Sequence, residues 1–312
     1  MELRDIYYLF FLLIACVLLL VFIIYDGKYR FFHVFCKCFF IEDKTDIQKL
    51  KEDFPLVIVS LTTSPKRISK TKVVIDSIMQ QTILPNKIVL NLPHVFKRDS
   101  STYNEIPDFI TNNDLIEINR CEDIGPATKI VPTALLYNEP NTILISVDDD
   151  IIYNSDVIEN LLQYSYEYPD CTITGITDKY THFQYNNTLN KYTFYGADVM
   201  GFSGVLYKSK FFDGFDQSTL LQLPRFCYVS DDIVIANFLF KNNIPIIVLS
   251  PIHNVIDTLY GNSYDSLKFG GNIDNNGFFD NPFNNLFSHR INYKKCSHYL
   301  NDSGELYVKE FL

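Results

Sequence analysis

The stretch Ile143–Ile152 constrains the fold of this chain more than any other. An apolar run rich in isoleucine leads directly into three consecutive carboxylates, Asp148, Asp149 and Asp150, and two isoleucines follow. Such a run is typical of a buried strand whose end lies at the edge of a sheet. If strand alternation continues, Asp148 and Asp150 point the same way and Asp149 points the other way. The alternative is a solvated acidic turn that only begins the next helix.

Two carboxylates on one side of a strand end favour a bound cation. Like charges about 4 Å apart repel by roughly 4 kcal/mol at the effective dielectric of a protein surface, so such a pair either raises a pKa or holds a cation. Oxygen ligands suit Mg²⁺ or Mn²⁺, which complete their coordination with water and substrate phosphate. We therefore predict a divalent metal on Asp148 and Asp150, with Asp149 in a supporting role. His253 is a candidate third ligand, although a structural histidine would explain it equally well.

Composition excludes some classes of function. The 312 residues carry a net charge of −10, which argues against a nucleic-acid-binding protein because such proteins need a basic face. An anionic phosphate ester would therefore have to be attracted locally, by a metal and a few basic side chains. The seven cysteines are scattered and form no CxxC pair, so we predict neither a zinc ribbon nor a disulfide framework.

The N-terminal region predicts a membrane anchor. Residues 6–25 are uncharged and apolar, and 20 residues of helix span about 30 Å, the thickness of a bilayer core. No small-residue cleavage site follows, which favours an uncleaved anchor over a signal peptide. We predict an anchor at 1–30 that makes the lipid bilayer a partner, followed by a stem at 31–54.

The side of the membrane stays open. Basic residues follow the apolar run more often than they precede it, so the positive-inside rule places the rest of the chain in the cytosol. Two N-glycosylation sequons, at 186–188 and 301–303, are compatible with the opposite orientation.

From residue 56 the pattern alternates between strand and helix. Strands are predicted at 56–61, 87–92, 115–119, 142–147, 171–177 and 244–249, and helices at 69–81, 127–137, 155–168 (with Ser155 as N-cap) and 233–241. This alternation predicts an α/β fold with a mostly parallel sheet and helices on both faces. Ligands then bind at the carboxyl ends of the strands, where the three aspartates lie. The tail from 253 reads as loops that close over a site.

Other polar residues are expected at the same edge of the sheet. The turn before Lys129 could cradle a phosphate at a helix N-terminus, with Lys129 neutralising a leaving diphosphate; an exposed lysine is the alternative. Arg67 follows the first strand. Asp231 and Asp232 begin a helix, where they either interact with its dipole or supply a general base.

The motifs TTSPKR, SIMQQT, KIVLNLP, DIGPATK, VDDDI, GFSGVLY and SDDIVIANFL follow one another between residues 55 and 250. This order resembles the GT-A glycosyltransferases, particularly family-2-like enzymes and their viral and bacterial relatives. The resemblance implies a GT-A (Rossmann-like) catalytic domain at 55–252 with an acceptor or lid extension at 253–312. It implies a UDP-, GDP- or dTDP-sugar donor, Mn²⁺ or Mg²⁺ at the DXD position, and inverting transfer to a hydroxyl of a glycan, protein or lipid.

The resemblance also implies roles for individual residues. Asp232, or its neighbour Asp231, matches the catalytic base. The acceptor loop matches Gly201, Phe202, Ser203 and Gly204, and the donor contacts match Thr62, Arg67, Asp123, Lys129 and Asp149. Many relatives carry an acid after the second strand, where this chain has Asn91-Leu92-Pro93, so the donor nucleotide stays open.

Two rival functions fit parts of the pattern. A haloacid-dehalogenase-type phosphatase also places DxD at a strand end, but that strand normally opens the domain, whereas three predicted strands precede this one. A catalytically inactive, membrane-anchored carbohydrate-binding protein is the other, and the intact carboxylates argue against it. A sugar-phosphate nucleotidyltransferase would need a glycine-rich loop after the first strand, and TTSPKR is not one.

Overall fold

The computed structural model describes residues 46–54, 56–177, 180–189, 191–249, 255–259 and 282–307. The predicted anchor, residues 31–45 of the predicted stem and His253 lie outside these ranges. All described residues belong to one compact unit. Within the described ranges, none of the helices combines the length and the apolarity needed to cross a bilayer.

The elements alternate along most of the chain. The strands are β1 (Val57–Thr62), β2 (Lys87–Pro93), β3 (Ile116–Cys121), β4 (Ile143–Ser146), β5 (Ile151–Tyr153), β6 (Thr172–Thr174), β7 (Tyr180–Asn186), β8 (Lys191–Gly196), β9 (Val205–Lys208), β10 (Ile246–Val248) and β11 (Ile256–Leu259). The α-helices are α1 (Ile47–Asp53), α2 (Lys72–Met79), α3 (Asp108–Thr111), α4 (Val131–Leu136), α5 (Val157–Glu167), α6 (Gln217–Gln222), α7 (Arg225–Tyr228), α8 (Asp231–Lys241) and α9 (Pro282–Asp302). Short 3₁₀ helices cover Ile68–Thr71, Gly125–Lys129, Gly201–Ser203 and Ser209–Phe212.

Nine strands form one mixed sheet in the order β3-β2-β1-β4-β9-β6-β10-β8-β7, and β5 pairs with β11 in a second sheet. Seven of the nine run in one direction, while β9 and β8 run against them. The prediction of an α/β fold with a mostly parallel sheet is confirmed. At the carboxyl edge of the sheet, Ser60 of β1 pairs with Ser146 of β4, and Ser146 pairs with Val205 at the start of β9. Antiparallel β9 therefore begins where β4 ends.

The central strands read as unbroken apolar runs because both faces of the sheet are covered. Along β1, Val59 and Leu61 enter one core while Ile58 enters the other, and Ile145 and Leu144 of β4 repeat this alternation. The first core packs the sheet against α2 and α5, and the second packs it against α4 and α8. Burying a side chain of this size contributes about 1.5–3 kcal/mol, so the two cores together fix the layered architecture.

Residues 46–54 at the end of the predicted stem form helix α1. The Asp46 carboxylate caps it by accepting the backbone N–H of Gln48 at 2.9 Å. Leu50 is fully buried and Phe54 is nearly so, both in the core that contains α5. The last turn of this segment therefore packs onto the domain.

Several elements differ from the sequence expectations. The described part of the tail contains the 21-residue helix α9 and strand β11 instead of loops alone. Ser155 is not an N-cap, because α5 begins at Val157 with Asp156 in the capping position and no side-chain capping bond. No disulfide framework was expected, but the structure contains a disulfide that the sequence pattern did not indicate: Cys227 of α7 is bonded to Cys296 of α9 across 69 residues.

Candidate functional site

The three consecutive aspartates lie in a turn between β4 and β5. Because β4 ends at Ser146, strand alternation does not extend to them. The expectation that Asp149 points away from Asp150 is therefore wrong. Arg67 Nη2 lies 2.7 Å from Asp149 Oδ1 and 3.1 Å from Asp150 Oδ2, so one guanidinium joins both carboxylates.

Asp149 anchors Arg67 within the protein. Its Oδ2 accepts the Thr63 hydroxyl, and its side chain is 11% exposed. Burial raises the pKa of Asp149 to about 6 even though Arg67 pulls it down. Asp150 is more exposed, at 23% of its side chain, and burial together with the charge of Asp148 raises its pKa. Of these two neighbours, Asp150 is the one that an incoming ligand can reach more easily.

Lys129 joins the end of β4 to the start of α8. Its Nζ lies 2.9 Å from Asp148 Oδ1 and 3.3 Å from Asp231 Oδ2. The side chain is buried, so the reading of Lys129 as an exposed lysine is excluded. Burial works against its charge, but Asp148, Asp231 and Asp232 outweigh burial and raise its pKa. Lys129 is therefore a fixed cation between two groups of carboxylates.

A buried polar network holds the backbone of Lys129 in place. Ser60 Oγ donates to the Lys129 carbonyl at 2.5 Å, and the Asn91 side-chain amide donates to Ser60 Oγ at 3.0 Å and to Thr133 Oγ1 at 2.8 Å. Ser60, Asn91 and Thr133 are each completely buried. Sequence reasoning did not single out these three residues as a site. The usable signal was Asn91, a polar residue inside an otherwise apolar strand.

The predicted acceptor loop contacts both Lys129 and α8. The Gly201 N–H donates to Asp232 Oδ1 at 3.1 Å. A Cβ on Gly201 would lie 2.2 Å from Lys129 Nζ, so any other residue at 201 would push the ammonium out of its present position. Ser203 is fully buried, with its hydroxyl donating to the Met200 carbonyl at 2.7 Å, which gives it a structural place in the loop.

The two aspartates that begin α8 lie in different surroundings. Asp231 is 6% exposed and contacts Lys129. Asp232 is more exposed, and it accepts the Gly201 N–H. Burial and the charge of Asp231 raise the pKa of Asp232, while Lys129 opposes that rise. A helix N-terminus by itself would lower the pKa of an acid, so this arrangement does more than complement the helix dipole.

Asp123 and Thr62 mainly shape the walls of the site. Asp123 accepts the Gly125 N–H at 2.8 Å and the Lys97 N–H at 2.7 Å, and the Tyr228 hydroxyl donates to it at 3.2 Å. These bonds fix the turn that leads to Lys129. Thr62 Oγ1 donates to a backbone carbonyl of β2 at 2.8 Å. Donor contacts from these two residues stay predictions.

The site is strongly acidic. When all groups are ionised, five carboxylates and two cations leave three formal negative charges. The groups are Asp148, Asp149, Asp150, Asp231, Asp232, Arg67 and Lys129. Across the described ranges, no group of three or more histidine, cysteine, aspartate and glutamate side chains is arranged to hold a metal ion. Two partly exposed carboxylates, Asp148 and Asp150, could bind Mn²⁺ or Mg²⁺ if water and a substrate phosphate completed the coordination. The oxygen donors fit such an ion.

Comparisons with known proteins show no family for this chain. No family model matches the chain, and no curated protein matches it. A solved crystal structure of GalNAc-T7 with UDP, GalNAc and Mn²⁺ is similar to it, with a TM-score of 0.42 and 12% sequence identity. The matched part covers 63% of this chain and 42% of the other. At that score, and over less than half of the other chain, the likeness says nothing about the function of this one.

Proposed function

We propose that this chain is a metal-dependent glycosyltransferase that moves a sugar from a nucleotide diphosphate to a hydroxyl acceptor. One observation carries the proposal. Asp148, which follows β4, and Asp231, which begins α8, both contact the buried ammonium of Lys129. Glycosyl transfer needs a cationic place for a departing diphosphate and, close by, a carboxylate that takes a proton from the acceptor. This site supplies both at the carboxyl edge of a mostly parallel sheet, where such folds bind ligands.

The donor side consists of Asp148, Asp150, Arg67 and Lys129. Asp148 and Asp150 would hold Mn²⁺ or Mg²⁺, which when bound neutralises phosphate charge as a Lewis acid. The excess negative charge of the cluster attracts a divalent cation in preference to a monovalent one. Lys129 supplies a second, fixed positive charge beside Asp148, and Arg67 keeps Asp150 in position. The nucleotide and the sugar stay open.

The acceptor side consists of Asp232 and the loop Gly201–Gly204. Asp232 would take the proton of the acceptor hydroxyl while that oxygen attacks the anomeric carbon from the face opposite the diphosphate, which inverts the anomeric centre. A raised pKa suits this task, since a general base works best when its pKa lies near the working pH. The bond from Gly201 N–H orients its carboxylate. Asp231 is held by Lys129 and serves as its partner.

Replacing Asp150 with asparagine tests the proposal. The change removes one negative charge and one metal ligand at nearly constant shape. We expect wild-type protein to bind a nucleotide diphosphate more tightly with Mn²⁺ than without it and to release it from at least one nucleotide sugar. In D150N, Mn²⁺-dependent binding should weaken at least about tenfold, equivalent to about 1.4 kcal/mol. Isothermal titration with UDP, GDP and dTDP measures this.

The matched control is Asp170→Asn, which neutralises an exposed carboxylate that is paired with Lys210. Asp170 lies shortly before β6, away from the site. It should leave binding unchanged. Metal-dependent binding of wild-type strength in D150N would remove Asp150 from the site. Hydrolysis of phosphomonoesters by the wild type, without release of nucleotide from nucleotide sugars, would favour the phosphatase instead.

We also propose that residues 1–30 anchor the protein in a membrane. The proposal rests on the uncharged run at 6–25. A variant lacking residues 1–30 should appear in the soluble fraction and melt at the temperature of the full chain. Fractionation after a carbonate wash, followed by thermal unfolding, checks both points. A shortened protein that still sediments with membranes would contradict a single anchor.

The disulfide is informative about the side of the membrane on which the domain lies. Disulfides persist in oxidising compartments and are rare in the cytosol. The bond between Cys227 and Cys296 therefore supports an orientation with the domain outside the cytosol, opposite to the one that the positive-inside rule favours.

A further inference from the structure

Tyr153, the last residue of β5, connects two segments of the site through its hydroxyl group. The oxygen accepts the Asp148 N–H at 2.9 Å, and the hydroxyl donates to the Phe202 carbonyl at 3.0 Å. Asp148 belongs to the turn that would hold the metal, and Phe202 belongs to the predicted acceptor loop. Tyr153 is 3% exposed, so water cannot easily replace either bond.

The ring of Tyr153 also supports the acceptor loop. Gly204 has a φ of +81°, and a Cβ at that position would lie 4.0 Å from Tyr153 Cε1 and 3.5 Å from Val157 Cγ1. The end of the loop therefore rests on the ring and on the first turn of α5. The backbone of Tyr153 is fixed in turn, because its N–H donates to Ser77 Oγ of α2 at 3.3 Å.

We propose that Tyr153 is a positioning residue that couples the turn carrying Asp148 to the acceptor loop. A hydroxyl offers one proton and can accept at its lone pairs, so this single group can serve both segments at once. A shift of the turn that carries Asp148 would reach the Phe202 carbonyl through the shared hydroxyl, so binding of the donor would further stabilise the acceptor loop. This inference rests on the proposed function.

The hydroxyl is the informative part of the side chain. A phenylalanine would fill the same space beside Gly204 and would stay in the apolar cluster that also contains Val157. What it would lose is the pair of hydroxyl bonds to the Asp148 N–H and the Phe202 carbonyl. Tyr153→Phe therefore separates the effect of the hydroxyl bonds from the effect of the packed ring.

Hydrogen exchange tests the proposal. In the full-length wild type, adding Mn²⁺ with UDP, GDP or dTDP, whichever binds, should slow amide exchange in residues 201–204 at least about threefold. In Y153F the nucleotide should still bind, and the slowing should disappear. With a nucleotide sugar that the wild type turns over, kcat should fall at least about tenfold while the donor KM changes less than about threefold, because the lost bonds orient the loop and do not touch the donor.

Tyr168→Phe is the matched control. That tyrosine is half-buried, its hydroxyl bonds to Thr193, and it lies at the end of α5 away from the site. It should leave both exchange and kcat at wild-type values. The proposal is wrong if Y153F keeps the slowing, or if the wild type binds Mn²⁺ and nucleotide without any slowing in the loop. The second result needs no variant, so it decides the matter even if Y153F does not fold.

Failure of the proposed function gives a different result. In that case the wild type binds no nucleotide diphosphate with Mn²⁺ and releases none from a nucleotide sugar. The binding and nucleotide-release measurements then fail before exchange in the loop is compared. Binding without coupling contradicts only the role of Tyr153.

Discussion

Replacing Asp232 with asparagine should lower the rate of sugar transfer at least about a hundredfold, since general-base assistance is typically worth 10²–10⁴ in rate. Asp232 is the more exposed of the two acids that begin α8, and the Gly201 N–H holds one of its oxygens in the acceptor loop. Asparagine keeps that bond but cannot take a proton. Nucleotide diphosphate affinity should stay nearly unchanged, because a base contributes to the transition state and not to uniform binding. Steady-state kinetics and titration with Mn²⁺ and nucleotide measure the two quantities.

Asp231→Asn is the natural comparison. It removes a contact to Lys129 and should reduce transfer less than D232N does. If D231N abolishes transfer and D232N keeps it, the two roles are exchanged. If neither changes the rate, α8 supplies no base and a retaining mechanism becomes the better hypothesis.

The pH dependence gives a second measure of Asp232. Only the ionised carboxylate accepts a proton, so the rate should fall as the pH drops through the pKa of Asp232. Burial and Asp231 raise that pKa, and the acid limb should therefore lie above the ordinary aspartate value of about 4. The residual rate of D232N should lack this limb. A limb at the ordinary value would mean that the raised pKa is lost in the working enzyme.

Removing the disulfide should produce the largest change in stability. A cross-link that closes a loop of 69 residues contributes about 4 kcal/mol on the chain-entropy model. The variant with Cys227→Ser and Cys296→Ser should therefore unfold at a clearly lower urea concentration than the oxidised wild type. Reduced wild type should unfold near the variant, because both lack the same bond.

The control for this measurement is Cys171→Ser. Cys171 is a half-buried free thiol whose pKa burial raises to about 11, so it is a poor nucleophile and plays no part in the cross-link. Its substitution should change the urea midpoint little. Equal midpoints for oxidised and reduced wild type would show that the two cysteines are not bonded in the protein as isolated.

The sequence predicted the central strands well and the edge of the sheet poorly. Strands such as β1 and β4 are buried on both faces, so they appear as apolar runs bounded by polar turns. The hairpin of β7 and β8 carries polar residues on both strands and offers no such run. Helix α9 begins in a stretch rich in asparagine and has no clear apolar stripe, so nothing in the pattern separated it from a loop.

The site could be predicted in its charges but not in its connections. The consecutive aspartates and the acids that begin α8 are visible in the sequence, and topology places both at one edge. That Lys129 lies between them depends on the buried bonds from Ser60 and Asn91, which join residues far apart in the chain. The pairing of Cys227 with Cys296 depends in the same way on how α7 meets α9. Contacts of this kind are set by tertiary packing, and no local sequence pattern predicts them.

The close approach of Lys129 to Gly201 limits which substitutions these two positions can accept. The ammonium occupies the space that any side chain at 201 would need, with only 2.2 Å between Nζ and the place of a Cβ. The two positions therefore do not vary independently: a side chain at residue 201 displaces the ammonium from Asp148 and Asp231 unless residue 129 has already become shorter. A directed-evolution library that randomises the acceptor loop while keeping Lys129 should favour glycine at 201 wherever the position of that ammonium matters. Altering acceptor preference through this loop thus means either leaving position 201 fixed or randomising it together with position 129.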